Sequence, residues 1–264
     1  MSSTSSTSGA SRLIDLNADG GEGFGAYAIG ADADLLRAVT SLNVACGSHG
    51  GDPVVIRRTI RAAVAAGVAV GAHPGFPDLQ GFGRRPMQIA PADLAAMLIY
   101  QIGATAALAA AEGVRLRHVK AHGALYNMAV ADAGLAGAIA EATAAFEGLW
   151  LFAPLNSAMA AAAQARGIRI AYEAFLDRGY RRDGTLVPRS DPGALVTDPA
   201  QVAARAVALA TEGTVTTADG TQLTVRPQTL CIHSDTPGAG SLAAAARAAL
   251  EAAGIRVAAP SAQA

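Results

Sequence analysis

Short apolar runs alternate with Ala-rich helical stretches along the chain, and this alternation restricts the fold more than any other feature of the sequence. Strands are predicted at RLIDLNA, TSLNVAC, GVAVGA, LRHVKA, LWLFAP, IRIAYEAF and TLCIHS. Parallel strands need long crossover connections, which helices supply, so the order predicts an α/β fold with a parallel sheet. Seven strands in 264 residues without an interdomain linker favour a closed seven-stranded β/α barrel over an open doubly wound sheet.

The predicted helices carry ordinary start and stop signals. In DPVVIRRTIRAAVAAG, Asp52 is the expected N-cap, Pro53 lies in the first turn and Gly67 follows the end. One segment interrupts the alternation: GTVTTADGTQLTV alternates by twos around Asp219 and Gly220, which predicts a small β-hairpin insertion before the last strand. The other helices are predicted in APADLAAMLIYQ, DAGLAGAIAEATAAF, NSAMAAAAQARG, DPAQVAARAVALATEG and AGSLAAAARAALEAAG.

Composition indicates how many domains the chain forms and which classes of partner it is expected to bind. Residues 1–12 are polar and of low complexity and are predicted to form a disordered tail, which leaves residues 13–264 as a single catalytic barrel domain. A formal net charge of -1 gives no reason to expect nucleic acid as a partner. No apolar run is expected to span a membrane, because AAMLIYQIGATAALAAAEG is better explained as a buried helix. Cys46 and Cys231 are predicted to be reduced and buried, which favours the cytoplasm, and a homo-oligomer is left open.

Ionisable side chains recur where the predicted strands end. Lys120 and His122 close the fourth strand, and His49, His73 and His233 each follow another apolar run. The active sites of β/α barrels and open α/β sheets lie at the carboxyl ends of the strands, so these side chains are predicted to converge on one mouth. The candidate residues are Asn17, Asp19, Glu22, Asn43, His49, His73, Lys120, His122, Asn127, Glu173, Arg178, His233 and Asp235.

Structural roles explain other polar residues equally well. A single histidine at a strand end is more often a hydrogen-bonded structural group than a catalyst, whereas four at equivalent positions favour a site. His118 lies at the start of its strand and is predicted to be structural, and Asp15 is expected to tie strands together. Asp52 is a helix cap, and Asp78 and Arg84 are expected to order the loop that contains them.

Imidazoles, carboxylates and a lysine at one mouth can perform general acid–base chemistry. Histidine and aspartate together can also hold a divalent metal that activates water, and the metal-ligand candidates are Asp19, His49 and His73. Their spacing does not form a compact metal motif such as HExxH. The sequence contains no GxxxxGK[ST] phosphate loop, a common motif for binding the phosphates of ATP.

Six blocks together resemble the LamB/YcsF family, in the family's order, from about Leu13 to Val257. They are DLNADGGEGFG, NVACGSHGGDP, GAHPGFPD…GFGRR, VKAHGALYN, EAFLDRGY…GTLVPR and CIHSDTPGA. The resemblance implies a seven-stranded β/α barrel of the kind found in metal-dependent sugar deacetylases. It also implies that 5-oxo-L-proline is opened to L-glutamate with ATP hydrolysis, in a 5-oxoprolinase complex whose B and C subunits would handle the ATP.

With this resemblance, the barrel is predicted to perform the hydrolytic half of the reaction. Asp19, Glu22 or a histidine would act as the base on water, and Lys120 or Arg178 would hold the substrate carboxylate or the leaving phosphate. The predicted catalytic set is Asp19, Glu22, His73, Lys120, His122 and His233, with the histidines as donors to the developing oxyanion. The predicted substrate-binding set is Asn17, Asn43, His49, Asn127, Glu173, Arg178 and Asp235.

Two alternatives remain open at this point. The first is a free-standing metal-dependent deacetylase or amidase built on the same barrel. The second is a non-catalytic subunit that binds substrate or scaffolds the complex. Activity without ATP or partners separates the first alternative from the favoured one, and mutagenesis of the mouth tests the second.

Overall fold

The computed structural model describes residues 12–30 and 32–261, so the predicted tail at residues 1–12 falls almost wholly outside the described residues. In chain order the elements are β1 (Leu13–Gly20), α1 (Asp32–Leu35), β2 (Ser41–Ala45), α2 (Pro53–Ala65), β3 (Ala69–His73), α3 (Pro91–Ala111), β4 (His118–Val119), α4 (Gly123–Ala129), α5 (Ala133–Ala144), β5 (Trp150–Ala153), α6 (Ala158–Ala165), β6 (Arg169–Phe175), α7 (Pro199–Thr211), β7 (Thr214–Thr216), β8 (Gln222–Thr224), β9 (Thr229–Ile232), α8 (Ala239–Ala252) and β10 (Arg256–Val257).

Seven parallel strands close into a barrel, which confirms the predicted fold class. The strands follow the order β1, β2, β3, β4, β5, β6 and β9, and β9 pairs with β1 to complete the ring. β7 and β8 form the predicted antiparallel hairpin outside the barrel, with Gly220 in the left-handed conformation at its turn. β10 adds to the first two residues of β1, Leu13 and Ile14.

The two faces of the barrel strands differ in chemistry because the helices cover the outside. Along β1, Leu16 and Ala18 belong to the apolar core, whereas Asp15, Asn17 and Asp19 alternate with them and are also buried. Polar side chains on that second face have no water to bind, so they need partners within the barrel. The parallel ladder places Asp19 opposite Asn43 of β2, which brings two of these polar side chains together.

Local capping explains where several helices begin. Asp52 accepts hydrogen bonds from the backbone N–H groups of Val54 and Val55, at 2.8 and 3.0 Å, and Pro53 lies in the first turn, as predicted. Asp132 and Asp198 cap α5 and α7 in the same way. These caps turn each chain segment from a strand-end loop into a helix that returns along the outside of the barrel.

Helix α3 is 21 residues long, and its mean hydropathy of 1.7 is high enough for a membrane span by length and composition. This helix contains the segment that the sequence analysis expected to be a buried helix and not a membrane span. In the structure, Leu98 and Ile102 of this helix are buried in the core. The Gln101 side chain exchanges two hydrogen bonds of 3.0 Å with the backbone of Gly75. Packing against the barrel accounts for the apolar composition of this helix.

Four elements differ from the prediction, among them the four-residue helix α1, which the sequence analysis did not predict. Strand β4 contains only His118 and Val119, because the chain turns at His122 into the short helix α4, which the sequence analysis did not predict. Asn127, predicted to follow the fourth strand, lies in this helix. Strand β10 was also not predicted. The two cysteines, Cys46 and Cys231, are free and buried as predicted.

Candidate active site

A cavity of about 500 Å³ opens at the carboxyl ends of the barrel strands. Its buried wall is ionisable and aromatic, whereas its partly exposed wall is formed by loops and by the hairpin residue Leu223. The ionisable and aromatic side chains that line it are Asp19, Arg84, Lys120, His122, Tyr126, Glu173, Phe175, Arg178, Tyr180, Asp183, Arg189 and His233.

Lys120 is the centre of the buried wall and the only lysine of the chain. Its Nζ atom donates hydrogen bonds to Asp19 Oδ1 at 2.8 Å and to Cys231 Sγ at 2.9 Å, and it lies 3.3 Å from Glu173 Oε1. Burial opposes the charge, but Asp19, Cys231 and Glu173 raise the pKa of Lys120 well above its usual value. The ammonium group is therefore charged, with two hydrogen-bond acceptors and the Glu173 carboxylate around it.

Asp19 shares this environment. Its Oδ1 atom also accepts a hydrogen bond of 2.9 Å from Asn43 Nδ2 and lies 3.4 Å from His73 Nε2. Burial alone would raise the pKa of Asp19, but the charges of His73 and Lys120 lower it well below its usual value. The carboxylate is thus ionised and held by donors on several sides, which makes it a weak base.

Three histidines from different strand ends meet beside this ion pair. The rings of His49 and His122 stack with centroids 3.5 Å apart, and His73 meets His122 edge-on at 4.8 Å. Glu22 Oε1 lies 3.4 Å from His49 Nε2 and 3.5 Å from His122 Nδ1. Three of the four strand-end histidines predicted to converge therefore meet, and of these three only His122 lines the cavity.

The hydrogen bonds of two of these histidines fix their tautomers. Because backbone carbonyls only accept, His73 Nδ1 donates to Lys120 O at 2.7 Å, and His122 Nε2 donates to Phe82 O at 2.8 Å. Their remaining nitrogens, His73 Nε2 and His122 Nδ1, face each other at 3.0 Å. Two lone pairs do not face each other at that distance unless a proton or a cation lies between them.

These side chains fit a divalent metal ion. Glu22, His49, His73 and His122 offer ligand atoms that all lie within 4.8 Å of one another. Both ring nitrogens of His49 are buried without a hydrogen-bond partner among the described residues. Burial and the neighbouring histidines lower the pKa values of His49 and His122 well below the usual value, so both are neutral, as metal binding requires. Three imidazoles and one carboxylate are an ordinary donor set for zinc or a related ion.

The predicted metal ligands are divided between two groups in the structure. His49 and His73 lie in the four-residue cluster, whereas Asp19 shares a second group with Cys231 and His233. Glu22 and His122, predicted as catalytic residues, complete the first cluster. The metal-binding role predicted for Asp19, His49 and His73 stays a prediction.

A strained loop covers the histidine cluster. Phe82 has a φ of +54° and Gly83 a φ of +63°, and this left-handed pair directs the Phe82 carbonyl toward His122. A Cβ atom on Gly83 would lie 2.7 Å from both the His122 and the His49 side chains. Only glycine at this position lets the backbone approach the two imidazoles so closely.

His233 forms a separate pair with Asp177 on another wall of the cavity. Its Nδ1 atom lies 3.0 and 3.1 Å from the two carboxylate oxygens of Asp177, and its ring stacks on Phe175 with centroids 5.2 Å apart. Burial would raise the pKa of Asp177, but His233 and Thr236 lower it. An ionised carboxylate on Nδ1 leaves Nε2 of the imidazole to exchange a proton.

Asn17 and Asn43, predicted to bind substrate, do not line the cavity. Asn17 donates to Thr229 Oγ1 at 2.7 Å and to Glu173 Oε1 at 3.1 Å, and its own Oδ1 accepts from Asn43 at 2.7 Å. Both side chains are fully buried inside the barrel. Their contacts position Asp19 and Glu173, and direct substrate binding by them stays a prediction.

The structural interpretations of His118 and Asp15 agree with the structure. His118 donates to Asn43 Oδ1 at 2.7 Å and stacks on Phe152 with centroids 4.1 Å apart. Asp15 accepts hydrogen bonds from the hydroxyl groups of Ser41 and Thr229. Burial raises the pKa of Asp15 to about 6, although these hydrogen bonds lower it.

The remaining predicted residues lie at or near the mouth. Asn127 is exposed on the cavity wall. Arg178 is buried and donates to the carbonyls of Val187 and Ala194, at 2.7 and 3.2 Å. Asp235 does not line the cavity but forms ion pairs with two arginines that do.

Sequence relatives identify the family of this chain. The sequence description of the LamB/YcsF family matches residues 14–264. The chain belongs to the LamB/YcsF family. It is 53% identical over 252 residues to a protein of Symbiobacterium thermophilum named as the A subunit of 5-oxoprolinase, covering 95% of this chain and 97% of that one. It is 51% identical over 245 residues to the protein of the same name from Heliobacterium modesticaldum, covering 92% of this chain and 96% of that one.

Solved structures show the same barrel. The lactam utilization protein from Thermus thermophilus superimposes with a TM-score of 0.89 and 49% identity, covering 94% of this chain and all of that one. A putative cellobiose-phosphate cleavage protein from Enterococcus faecalis gives a TM-score of 0.54 at 12% identity, over 94% of this chain and 97% of that one. The second likeness concerns the fold alone.

Three residues of this LamB/YcsF site lie outside the predicted catalytic and substrate-binding sets. Asp177 orients His233, Arg189 lines the mouth, and Tyr126 faces Glu173 from helix α4. The Tyr126 hydroxyl and Glu173 Oε2 are both buried without a hydrogen-bond partner among the described residues. Burial and Glu173 raise the pKa of Tyr126 well above its usual value, so its hydroxyl stays a donor. Tyr126 lies four residues after His122, one helical turn along α4, and that spacing was the only available signal.

Proposed function

We propose that this LamB/YcsF chain is the lactam-opening component of an ATP-dependent 5-oxoprolinase, its A subunit, and that it acts in the cytoplasm with partner subunits B and C. The relatives that carry this subunit's name support the role over nearly their whole length. The observation that carries the proposal is the buried acid–base cluster at the base of a cavity of about 500 Å³. The chemistry of such a cluster suits hydrolysis of an amide.

The proposed division of labour follows from the substrate. The amide of 5-oxo-L-proline is a poor electrophile, and transfer of a phosphoryl group from ATP to its oxygen activates the ring carbon. Water then adds to that carbon, the carbon–nitrogen bond breaks, and the nitrogen takes up a proton. A second water releases phosphate to leave L-glutamate. Because this sequence lacks a phosphate loop, we assign the ATP to the partner subunits.

In this proposal His233 is the general base. Asp177 holds its Nδ1 proton, so Nε2 accepts a proton from water and returns it to the leaving nitrogen. The positive charge of Lys120 stabilises the developing oxyanion from the buried wall. His73 and His122 are less suited to the oxyanion role predicted for them, because each already donates its N–H group to a backbone carbonyl.

A divalent metal ion fits the same proposal. Glu22, His49, His73 and His122 would hold it. Such an ion supplies Lewis acidity and lowers the pKa of a bound water. With or without it, the Phe82 carbonyl fixes the orientation of His122, and the buried ring of His49 excludes water from the base of the cluster.

The same cluster supports a second candidate, a free-standing metal-dependent amidase or deacetylase. This function would need neither ATP nor partners, since the metal cluster and the His233–Asp177 pair belong to one chain. Hydrolysis of a simple amide or acetyl ester by the isolated chain, lost after treatment with a chelator, would favour it over the first proposal.

Reconstitution tests the proposed function. The chain is purified alone and with candidate B and C subunits, and glutamate release from 5-oxo-L-proline is measured with and without ATP. We expect release only with all three subunits and ATP. His233→Gln should lower the turnover by at least about 100-fold, as expected for loss of a general base. Arg182→Gln, an exposed position paired with Asp219 on the hairpin, is the control and should retain full turnover. Full turnover by the His233 variant would contradict the assignment.

A further inference from the structure

Three arginines converge on the partly exposed wall of the cavity. Arg84 comes from the connection between β3 and α3, and Arg178 and Arg189 come from the connection between β6 and α7. All three line the cavity. Neither Arg84 nor Arg189 was given a role in binding by the sequence analysis.

A single carboxylate is shared between two of these arginines. Asp235, from the connection between β9 and α8, accepts from Arg84 at 2.6 Å and from Arg189 at 3.2 Å, through different oxygens. Each guanidinium donates one hydrogen bond to this carboxylate and has five N–H donors in all. Asp235 therefore holds the two side chains side by side and neutralises only one of their two charges.

The other charges nearby do not balance this excess. Arg178 donates to two backbone carbonyls. Asp177, next to it, is engaged by His233 and Thr236, and Asp183 accepts from Thr185. Burial, followed by repulsion from Arg189 and Arg84, lowers the pKa of Arg178 to about 10, although the attraction of Asp177 raises it. The repulsion among the three arginines supports an excess of positive charge on this wall of the cavity.

The buried end of the cavity has the opposite character. Lys120 lies between the carboxylates of Asp19 and Glu173. These two carboxylates would repel the carboxylate of a ligand, so Lys120 is poorly placed to hold that group, which was one of the roles predicted for it. A ligand with one anionic end and one amide end would place the anion at the arginines and the amide near Lys120.

We propose that Arg84 and Arg189, held together by Asp235, form the anion subsite of the cavity and bind the carboxylate of a cyclic amide. This inference rests on the proposed function and names the residues that select a carboxylated lactam over a neutral one. Arg178 is a positioning residue, because it anchors the loop that carries Arg189. A phosphoryl group has similar oxyanion chemistry, and binding of inorganic phosphate separates it from the carboxylate.

Calorimetric titration of the full chain tests the subsite with three probes: 5-oxo-L-proline, 2-pyrrolidinone, which lacks the carboxylate, and inorganic phosphate. Arg84→Gln and Arg189→Gln should each weaken binding of 5-oxo-L-proline by about 10- to 100-fold, as expected for a lost charge-assisted hydrogen bond. Binding of 2-pyrrolidinone should not change. The matched control is Arg182→Gln, an arginine of the same connection that pairs with Asp219 and should leave all three affinities unaltered.

Each other outcome overturns the inference. The proposed subsite is contradicted if the wild type and both variants bind 5-oxo-L-proline equally, or if the wild type does not bind it. Loss of phosphate binding alone assigns the arginines to a phosphoryl group and contradicts the carboxylate. Thermal unfolding of each variant shows whether a lost affinity reflects lost structure. Failure of the proposed function gives a different result, namely no glutamate release by the three-subunit complex while the arginine-dependent binding persists.

Discussion

At the scale of single residues, Lys120 shows why one side chain cannot replace another of the same charge. Its compact ammonium group donates to Asp19 and Cys231 and forms an ion pair with Glu173 inside the barrel. A planar guanidinium is larger and presents its donors in a fixed fork, which does not match three acceptors around one point. Every other basic side chain of this sequence, histidine aside, is arginine. That contrast is readable from the sequence, although the sequence analysis selected Lys120 for its place at the end of a strand.

Replacing Lys120 by methionine should destabilise the protein. The substitution leaves the carboxylates of Asp19 and Glu173 buried without their counter-ion. Removing one partner from a buried ion pair costs about 3–5 kcal/mol, and we expect a loss of this size in the free energy of unfolding. Urea denaturation measures it. Arg182→Met removes an exposed partner instead and should leave the midpoint nearly unchanged. Equal midpoints for the two variants would contradict the central role of Lys120.

His118 should make stability depend on pH. Burial, followed by repulsion from Lys120 and His73, lowers the pKa of His118 to about 3, whereas the unfolded chain has the ordinary value of 6.5. Between the two pKa values the unfolded chain binds a proton at His118 and the folded chain does not. The free energy of unfolding therefore falls as the pH falls from about 6 to about 4. Well above the unfolded-state pKa, both states are neutral and the contribution vanishes.

The His118→Gln variant tests this dependence. Removing one such histidine should reduce the slope of unfolding free energy against pH by about 1.4 kcal/mol per pH unit within that window. Urea unfolding at several pH values gives both slopes. Parallel curves for the wild type and the variant would show that His118 is protonated in the folded state.

At the scale of the elements, β3 carries a glycine because another strand's side chain occupies the space beside it. A Cβ atom on Gly71 would lie 2.2 Å from the His118 imidazole, which is fixed between Asn43 and Phe152. A strand glycine usually weakens a sheet, so its presence here indicates a close approach. The register of β3 and β4 is therefore tied to the polar network inside the barrel.

Gly71→Ala should destabilise the protein by about 1–3 kcal/mol or more, since overpacking forces the imidazole or the backbone to move. Gly137→Ala is the matched control, because a Cβ atom there meets nothing within 4 Å. Gly137 lies inside helix α5, where alanine is favoured over glycine by roughly 0.5–1 kcal/mol. The two alanine variants should therefore shift the thermal midpoint in opposite directions. A stabilising Gly71→Ala substitution would contradict the packing described for His118.

At the scale of the whole molecule, closure of the barrel assembles the site. Glu22, His49, His73 and His122 follow four different strand ends and meet only because those ends form one ring. The cluster should therefore bind a divalent cation only in the folded chain. Cation binding that excludes the unfolded state raises stability by about 2.7 kcal/mol at roughly 100 times the dissociation constant.

We expect zinc or a related divalent ion to raise the thermal midpoint by about 5–10 °C at such a concentration. A chelator should reverse the shift. His49→Gln removes a ligand with no other hydrogen bond among the described residues and should abolish the response, whereas His118→Gln, a buried histidine outside the cluster, should keep it. An unchanged midpoint with zinc, manganese, cobalt and magnesium would show that a proton, and not a metal, lies between His73 and His122.

The sequence by itself determined the fold class, the caps and the face of each strand that would carry polar groups. Those features follow from patterns between near neighbours, such as Asp52 before Pro53 or the alternation from Asp15 to Asp19. It also predicted that four strand-end histidines would meet, and three of them do. It did not predict helix α4, which begins just after His122 and brings Tyr126 to the cavity.

Only the tertiary structure decided which of those polar groups face the cavity and which support it. Asn17 and Asn43 lie on the same strand faces as Asp19, yet they bind one another inside the barrel, and Arg84 and Arg189 come from separate loops to share Asp235. These pairings join residues far apart in the chain. Their geometry depends on strand register, on barrel closure and on competition among buried donors for a few acceptors, which no local pattern records.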